Sequence, residues 1–187
     1  MYYEDDVEHW PPVPGLSWFE TNGKYVRNIL WGVDVAKLPP VLERCPHLDN
    51  LAVWLYASDN NLTVLLPALS TLRLRRISIE LKTLFSGSHF QTEQGKHPMF
   101  RHITHLDIIQ ACTMWSHIEG VAQLPCLTHL SLSRRSDNSG AVFGALEQCK
   151  QLKILALVRS STKRYERDIR RSAEEEPMQY DCLDPRV

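Results

Sequence analysis

The sequence is short of several features that mark particular protein classes. It has only five cysteines in 187 residues: Cys45, Cys112, Cys126, Cys149 and Cys182. They are too few and too scattered for a disulfide framework, and the odd number would leave one thiol over, so reduced thiols are expected. An excess of charge of one sign is also missing, with 21 Lys and Arg against 22 Asp and Glu. No overall field draws the chain toward nucleic acid or an anionic membrane. No apolar run reaches the length of a membrane span, and the first residues, Met1-Tyr2-Tyr3-Glu4-Asp5-Asp6, are acidic where a signal peptide is basic. The expectation is an intracellular protein, cytoplasmic or nuclear.

Catalytic and metal-binding motifs are missing as well. There is no GxSxG, Walker A or GxGxxG pattern, and no CxxC or HExxH. His102 and His105, with His97 near them, have a spacing that a metal site can use, but in a strand the two point to opposite faces. Ser136-Asp137-Asn138-Ser139-Gly140 lacks the spaced carboxylates and terminal glutamate of a calcium loop and reads as a turn before a helix. Neither a metal, a cofactor nor an enzyme activity is expected. Asn61-Leu62-Thr63 matches a glycosylation acceptor, which matters only in a secreted chain.

What the sequence does contain is a repeat. Apolar residues in the order apolar, two variable, apolar, one variable, apolar recur as Val26/Ile29/Trp31, Leu48/Leu51/Val53, Leu74/Ile77/Ile79, Ile103/Leu106/Ile108, Leu127/Leu130/Leu132 and Leu152/Leu155/Leu157. The middle positions are separated by 22, 26, 29, 24 and 25 residues. These spacings fall in the leucine-rich-repeat range of about 20–29. Cys45, Phe100, Leu124 and Cys149 extend four copies one step upstream. Cys45 and Cys149 thus occupy a slot filled elsewhere by Phe or Leu, and read as small core hydrophobes rather than nucleophiles.

Leu38–Cys45, Leu62–Leu69 and Ala141–Cys149 carry apolar residues at helical spacing, and Ser116–Gln123 is long enough for a turn or two. Each strand therefore returns through a crossover of more than about a dozen residues, which makes neighbouring strands parallel. The expected fold is α/β: a leucine-rich-repeat solenoid, a short and irregular horseshoe with a parallel concave sheet of about six strands and short convex helices. Irregularity follows from the slots three residues past the last strand apolar. They hold Tyr56, Lys82, Ala111, Arg135 and Ser160, not an inward Asn or Cys ladder.

Three regions are expected. Residues 1–24 form a proline-interrupted arm and a cap near Leu16–Glu20, residues 25–160 the repeats, and residues 161–187 a charged tail. In the tail, Lys163, Arg164, Arg167, Arg170 and Arg171 precede Glu174, Glu175 and Glu176. That order opposes a helix dipole and predicts a frayed helix or disorder. The polar stretch Ser86–Pro98 lengthens one repeat and predicts a variable loop.

Alternation along each strand identifies the outer face. One row reads Asn28, Asn50, Arg76, His105, His129, Ile154; the next Leu30, Ala52, Ser78, Asp107, Ser131, Ala156; a third Gly32, Trp54, Glu80, Ile109, Ser133, Val158. At a strand spacing of about 4.8 Å this face is roughly 24 Å wide, suited to a peptide, loop or helix. The candidate partner-binding residues are Asn50, Trp54, Arg76, Glu80, His105, Asp107, His129 and Ser131, with Trp54, Arg76 and the two histidines as anchors. Ile154, Ala156 and Val158 make the last strand apolar on both faces, which implies that a tail or partner covers it.

Tyr25-Val26-Arg27-Asn28, Cys45-Pro46-His47-Leu48-Asp49-Asn50-Leu51, Leu74-Arg75-Arg76-Ile77-Ser78 and Phe100-Arg101-His102-Ile103-Thr104-His105-Leu106-Asp107-Ile108 resemble the leucine-rich-repeat superfamily and, in local phrasing, fungal proteins of the F-box type. The resemblance spans about Tyr25 to Val158. Residues 1–24 are shorter than an F-box, so it covers the repeats alone. It implies a protein-interaction module that binds a protein partner on its concave sheet, with substrate recognition of the F-box kind as the narrower version. The alternatives are an enzyme with a loop-borne site and a degenerate repeat fragment without a partner. No nucleic-acid or membrane partner is expected, and the repeat fixes no oligomeric state.

Overall fold

A computed structural model describes residues 14–32, 34–54, 61–87, 89–111, 114–133 and 139–158 of the chain. Six short strands form one sheet: β1 (Asn28–Trp31), β2 (Asn50–Val53), β3 (Arg76–Ile79), β4 (His105–Ala111), β5 (His129–Ser133) and β6 (Ile154–Val158). Their spatial order is their chain order, and every neighbouring pair is parallel. The middle apolars of the six copies, Ile29, Leu51, Ile77, Leu106, Leu130 and Leu155, stand side by side. They share one core with Leu48, Leu74, Ile103 and Leu127 from the turns that lead into the strands.

One backbone interaction recurs at every junction. The carbonyl of Arg27, just before β1, accepts the N–H groups of Asp49 (2.9 Å) and Asn50 (3.0 Å). Asp49, Arg75, Thr104 and Thr128 do the same for the next copy, each taking two N–H groups at 2.8–3.1 Å. A carbonyl with two lone pairs thus satisfies two donors at each junction and fixes where the following strand begins.

The opposite side of the sheet is lined by short helical pieces. α1 (Leu16–Asn22) buries Phe19, and its Glu20 pairs with Arg44, just past the next helix, at 3.2 Å. α2 (Leu38–Glu43) has prolines in its first turn, where a missing N–H costs nothing, and buries Leu38, Val41 and Leu42. The segment expected to be helical over Leu62–Leu69 begins as a 3-10 turn, Leu62–Leu65, capped by Asn61, and becomes α-helical only in α3 (Leu66–Thr71). Between β4 and β5 two 3-10 turns, Trp115–His117 and Glu119–Gln123, replace a helix.

The repeat between β3 and β4 departs from a simple exposed loop. It contains α4 (Leu81–Leu84) and α5 (Thr92–Gly95), the latter closed by a capping box between Gln91 and Gln94. Phe90 is fully buried against Phe85 and Phe100, with ring centroids 5.4 and 5.3 Å away. Its N–H donates to the His117 carbonyl (2.8 Å) and its carbonyl accepts from Gly120 (2.9 Å). The polar sequence hid a single apolar anchor that fastens this segment to the next repeat.

α6 (Ser139–Gln148) covers the last crossover. Its buried residues are the small ones, Ala141, Gly144 and Ala145, because the Trp115 indole lies against Gly144; Phe143 and Leu146 face outward. Cys45 and Cys149 are buried in equivalent slots, and burial raises both thiols above their ordinary pKa. Leu157, expected in the core, is 46% exposed. It lies on the edge strand β6, beyond which no further strand stands among the described residues. The exposed Ile154 and Val158 leave that strand uncovered on its outer face as well. The tail, Tyr56, Arg135 and Ser160 lie outside the described residues.

Two outcomes follow from this packing. A Cβ at Gly120 would sit 2.3 Å from the Gln91 carbonyl oxygen, whereas one at Gly32 would meet nothing closer than 3.5 Å. Gly120→Ala should therefore cost about 1–3 kcal/mol in urea unfolding, with Gly32→Ala near wild type. In the native protein iodoacetamide should alkylate the exposed Cys126 and spare Cys45 and Cys149, which should react only after denaturation; peptide mapping by mass spectrometry reads this.

Candidate functional site

The first outer row forms as its spacing predicts. Asn28, Asn50, Arg76, His105, His129 and Ile154 are consecutive partners in the parallel register. The Asn50 side-chain amide donates to Asn28 Oδ1 across the first junction. At the fourth junction the His105 and His129 rings stack, with centroids 4.0 Å apart and planes within 7°.

The residue before each histidine holds its ring in place. The Thr104 hydroxyl donates to the Arg75 carbonyl (3.1 Å) and lies 2.8 Å from His105 Nδ1. Thr128 repeats the arrangement, donating to the Thr104 carbonyl (3.2 Å) with His129 Nδ1 at 2.8 Å. Burial first, then the charges of His129, Arg76 and Arg75, hold His105 below the ordinary histidine pKa. His102 lies in a turn before β4, not in the strand, and no group of three or more His, Cys, Asp or Glu suited to a metal occurs among the described residues.

The second row is knitted to Trp54. Its indole N–H donates to Ser78 Oγ (2.8 Å), whose hydroxyl donates to Asp107 Oδ2 (2.6 Å). The chain of donors crosses from β2 to β4 and holds the ring over the sheet with 46% of Trp54 still exposed. Ser131 is different: its Oγ is buried and has no hydrogen-bond partner among the described residues.

The third row is broken. Beyond Ile108 the β4–β5 register shifts so that Ser133 pairs with Ala111, not with Ile109 as the spacing predicts. Ser133 Oγ donates to the Ile109 carbonyl (2.9 Å), filling the kink left by the extra residues. Glu80 follows β3 and is half-buried; its carbonyl accepts from Leu84 N–H (3.1 Å) and Thr83 Oγ1 (3.0 Å), starting α4. Asn50, Trp54, Arg76, His105, Asp107 and His129 thus form one outer surface, from which Ser131 is withdrawn and Glu80 stands apart.

Ser78, Thr104 and Thr128 were not among the candidates read from sequence. The signal for the threonines was there: Ile103-Thr104-His105-Leu106 and Leu127-Thr128-His129-Leu130 repeat the same dipeptide at the same register. A pocket of about 340 Å³ lies apart from this face, between the Glu119–Gln123 turn and the residues after α6. Its lining, which includes Val121, Leu124, Leu127, Cys149 and Lys150, has no carboxylate or imidazole.

No protein-family model matches the chain, and no curated protein matches it. The likeness to fungal F-box proteins therefore has no support from these comparisons. A solved structure described as the tropomodulin C-terminal domain, from structural genomics of Caenorhabditis elegans, is similar with a TM-score of 0.50 and 12% identity, over 85% of this chain and 96% of that one. That domain has a leucine-rich-repeat-like fold. At this identity the likeness concerns fold alone, an α/β arrangement with a parallel six-stranded sheet. No described helix is long and apolar enough to cross a membrane.

The lowered His105 pKa has a definite sign. The native state binds fewer protons than the unfolded chain once pH drops below the ordinary histidine value of about 6.5, so stability is full above that value and is lost as pH falls toward the folded pKa. Urea midpoints measured between about pH 7 and 5 should fall for wild type and fall less steeply for His105→Gln.

Proposed function

We propose that the chain is a short, irregular leucine-rich-repeat horseshoe that binds another protein on the concave face of its sheet and performs no catalysis. The observation that carries this reading is the pre-organised outer face: Asn28–Asn50, Trp54–Ser78–Asp107 and the stacked His105–His129 pair are held by hydrogen bonds or ring contacts before any partner arrives. Side chains already fixed lose little entropy on binding, and exposed Trp and Arg are the residue types that dominate interface energies. A cytoplasmic or nuclear location, and partners other than nucleic acid or membrane, complete the reading. Substrate selection for a ubiquitin ligase is its narrower form and rests on the F-box resemblance alone.

Capture from lysate with the tagged full chain tests it, run beside Trp54→Ala/Arg76→Glu and followed by calorimetry with the purified captured protein. A partner whose affinity falls about 30-fold or more in a still-folded variant is the expected result, corresponding to a loss of about 2 kcal/mol. Equal capture by both proteins would overturn the proposed face.

A further inference from the structure

The balanced formal charge conceals a segregation that only the register reveals. In the parallel sheet all strands begin at one edge, so the turns leading into them form a single border. By register, Lys24, Arg101 and Lys150 share one row of that border, each four residues before its strand's first residue, and Arg27, Arg75 and Lys153 share another. Arg73 and Arg76 lie beside them on the β3 copy. From four residues before each strand to its first residue, the chain thus carries eight Lys and Arg, all exposed, and one acid, Asp49. Elsewhere the described residues carry eight acids and four bases.

Arg27 is engaged by Asp49 at 3.5 Å and by the His47 carbonyl at 3.0 Å. Arg73, Arg75, Arg76, Arg101, Lys150 and Lys153 make no ion pair among the described residues. At a strand spacing of about 4.8 Å the adjacent β3 and β4 copies, which carry Arg73, Arg75, Arg76 and Arg101, lie within a Debye length of about 8 Å, and the cations of the β1 and β6 copies flank them two strands away, at about 10 Å. Along the strands the sign changes: the same face carries Asp107, and Glu80 follows the end of β3.

This polarity selects among polyanions. A nucleic-acid backbone brings regular phosphates together with bases that need aromatic platforms. The border offers only Tyr25, at one extreme and already beneath Lys24 Nζ at 5.0 Å. The two histidine rings are stacked on each other. A flat lipid surface would meet the acids as well as the bases. A polypeptide can confine its carboxylates to one stretch and continue with neutral residues over the Asp107–Trp54 side, and about seven extended residues span the roughly 24 Å border.

We propose that this border is the docking surface for an acid-rich segment of a partner protein, its carboxylates received by Arg73, Arg75, Arg76, Arg101 and Lys153. The inference rests on the protein-interaction reading and names the chemistry of that partner. Arg supplies forked donors matched to carboxylate, which favours specific pairing over diffuse attraction.

Fluorescence anisotropy of a labelled twelve-residue peptide, six glutamates followed by neutral residues, would be measured against the full chain. Arg75→Glu/Arg101→Glu would be compared with Lys37→Glu/Lys96→Glu, which alters net charge equally away from the border. The expected result is binding that weakens with salt and falls about tenfold or more in the border variant, with the control within about twofold of wild type. Equal loss in both variants would overturn the proposal. So would binding of a single-stranded RNA of equal charge, or of phosphatidylserine vesicles, as tight as that of the peptide. Trp54→Ala separates the two readings. A protein captured through Trp54 without peptide binding overturns the acidic border and leaves the sheet-face reading intact; border-dependent peptide binding with no Trp54-dependent capture does the reverse.

Discussion

The architecture hangs on one carbonyl per repeat. At all five junctions the residue before a strand uses its carbonyl oxygen to accept two N–H groups from the next copy. Copies of unequal length are thereby started at the same level, because the junction counts from the strand start and is indifferent to what lies in the crossover. Repeats of 22 and 29 residues can share a single register for this reason. At the third and fourth junctions a threonine hydroxyl adds another bond to the same carbonyl. That addition links the scaffold to the outer face, since the same two hydroxyls orient His105 and His129.

Register then decides electrostatics. Charges scattered through the sequence come together at one border because every turn into a strand opens on the same edge. The acids fall mainly on the helical side and at the far end of the strands. Net charge alone argued against any field; the parallel sheet creates one by sorting. The outer face and the border are contiguous, since Arg76 and His105 belong to the row next to it, so one partner segment can touch the cations and the Trp54–Ser78–Asp107 chain together.

The fold was largely legible because its determinants are local and periodic. A repeated apolar triplet names the buried side of each strand, and crossover length makes neighbours parallel. Periodicity failed where one residue opposes a general composition. Phe90 lies in a polar stretch with no apolar spacing around it, and its burial depends on the Glu119–Gln123 turn of another repeat. The β4–β5 shift after Ile108 is likewise invisible to a strict alternation, so Ile109 was assigned a neighbour it does not have. Ser131 occupied the right row, yet row membership does not say whether a hydroxyl is reachable.

By itself the sequence determined how many strands there are, which residues are inward on all but the edge strand, and which side chains share the first two rows, since those follow from a two-residue alternation and a fixed offset within each copy. Tertiary structure alone decided how those side chains bond to one another and where the charges collect. The stack of His105 on His129, the reach of Trp54 across to Ser78 and Asp107, and the cationic border all join residues more than about twenty positions apart in the chain. They exist only because parallel strands bring equivalent positions of successive copies within about 5 Å, a distance that no local pattern encodes.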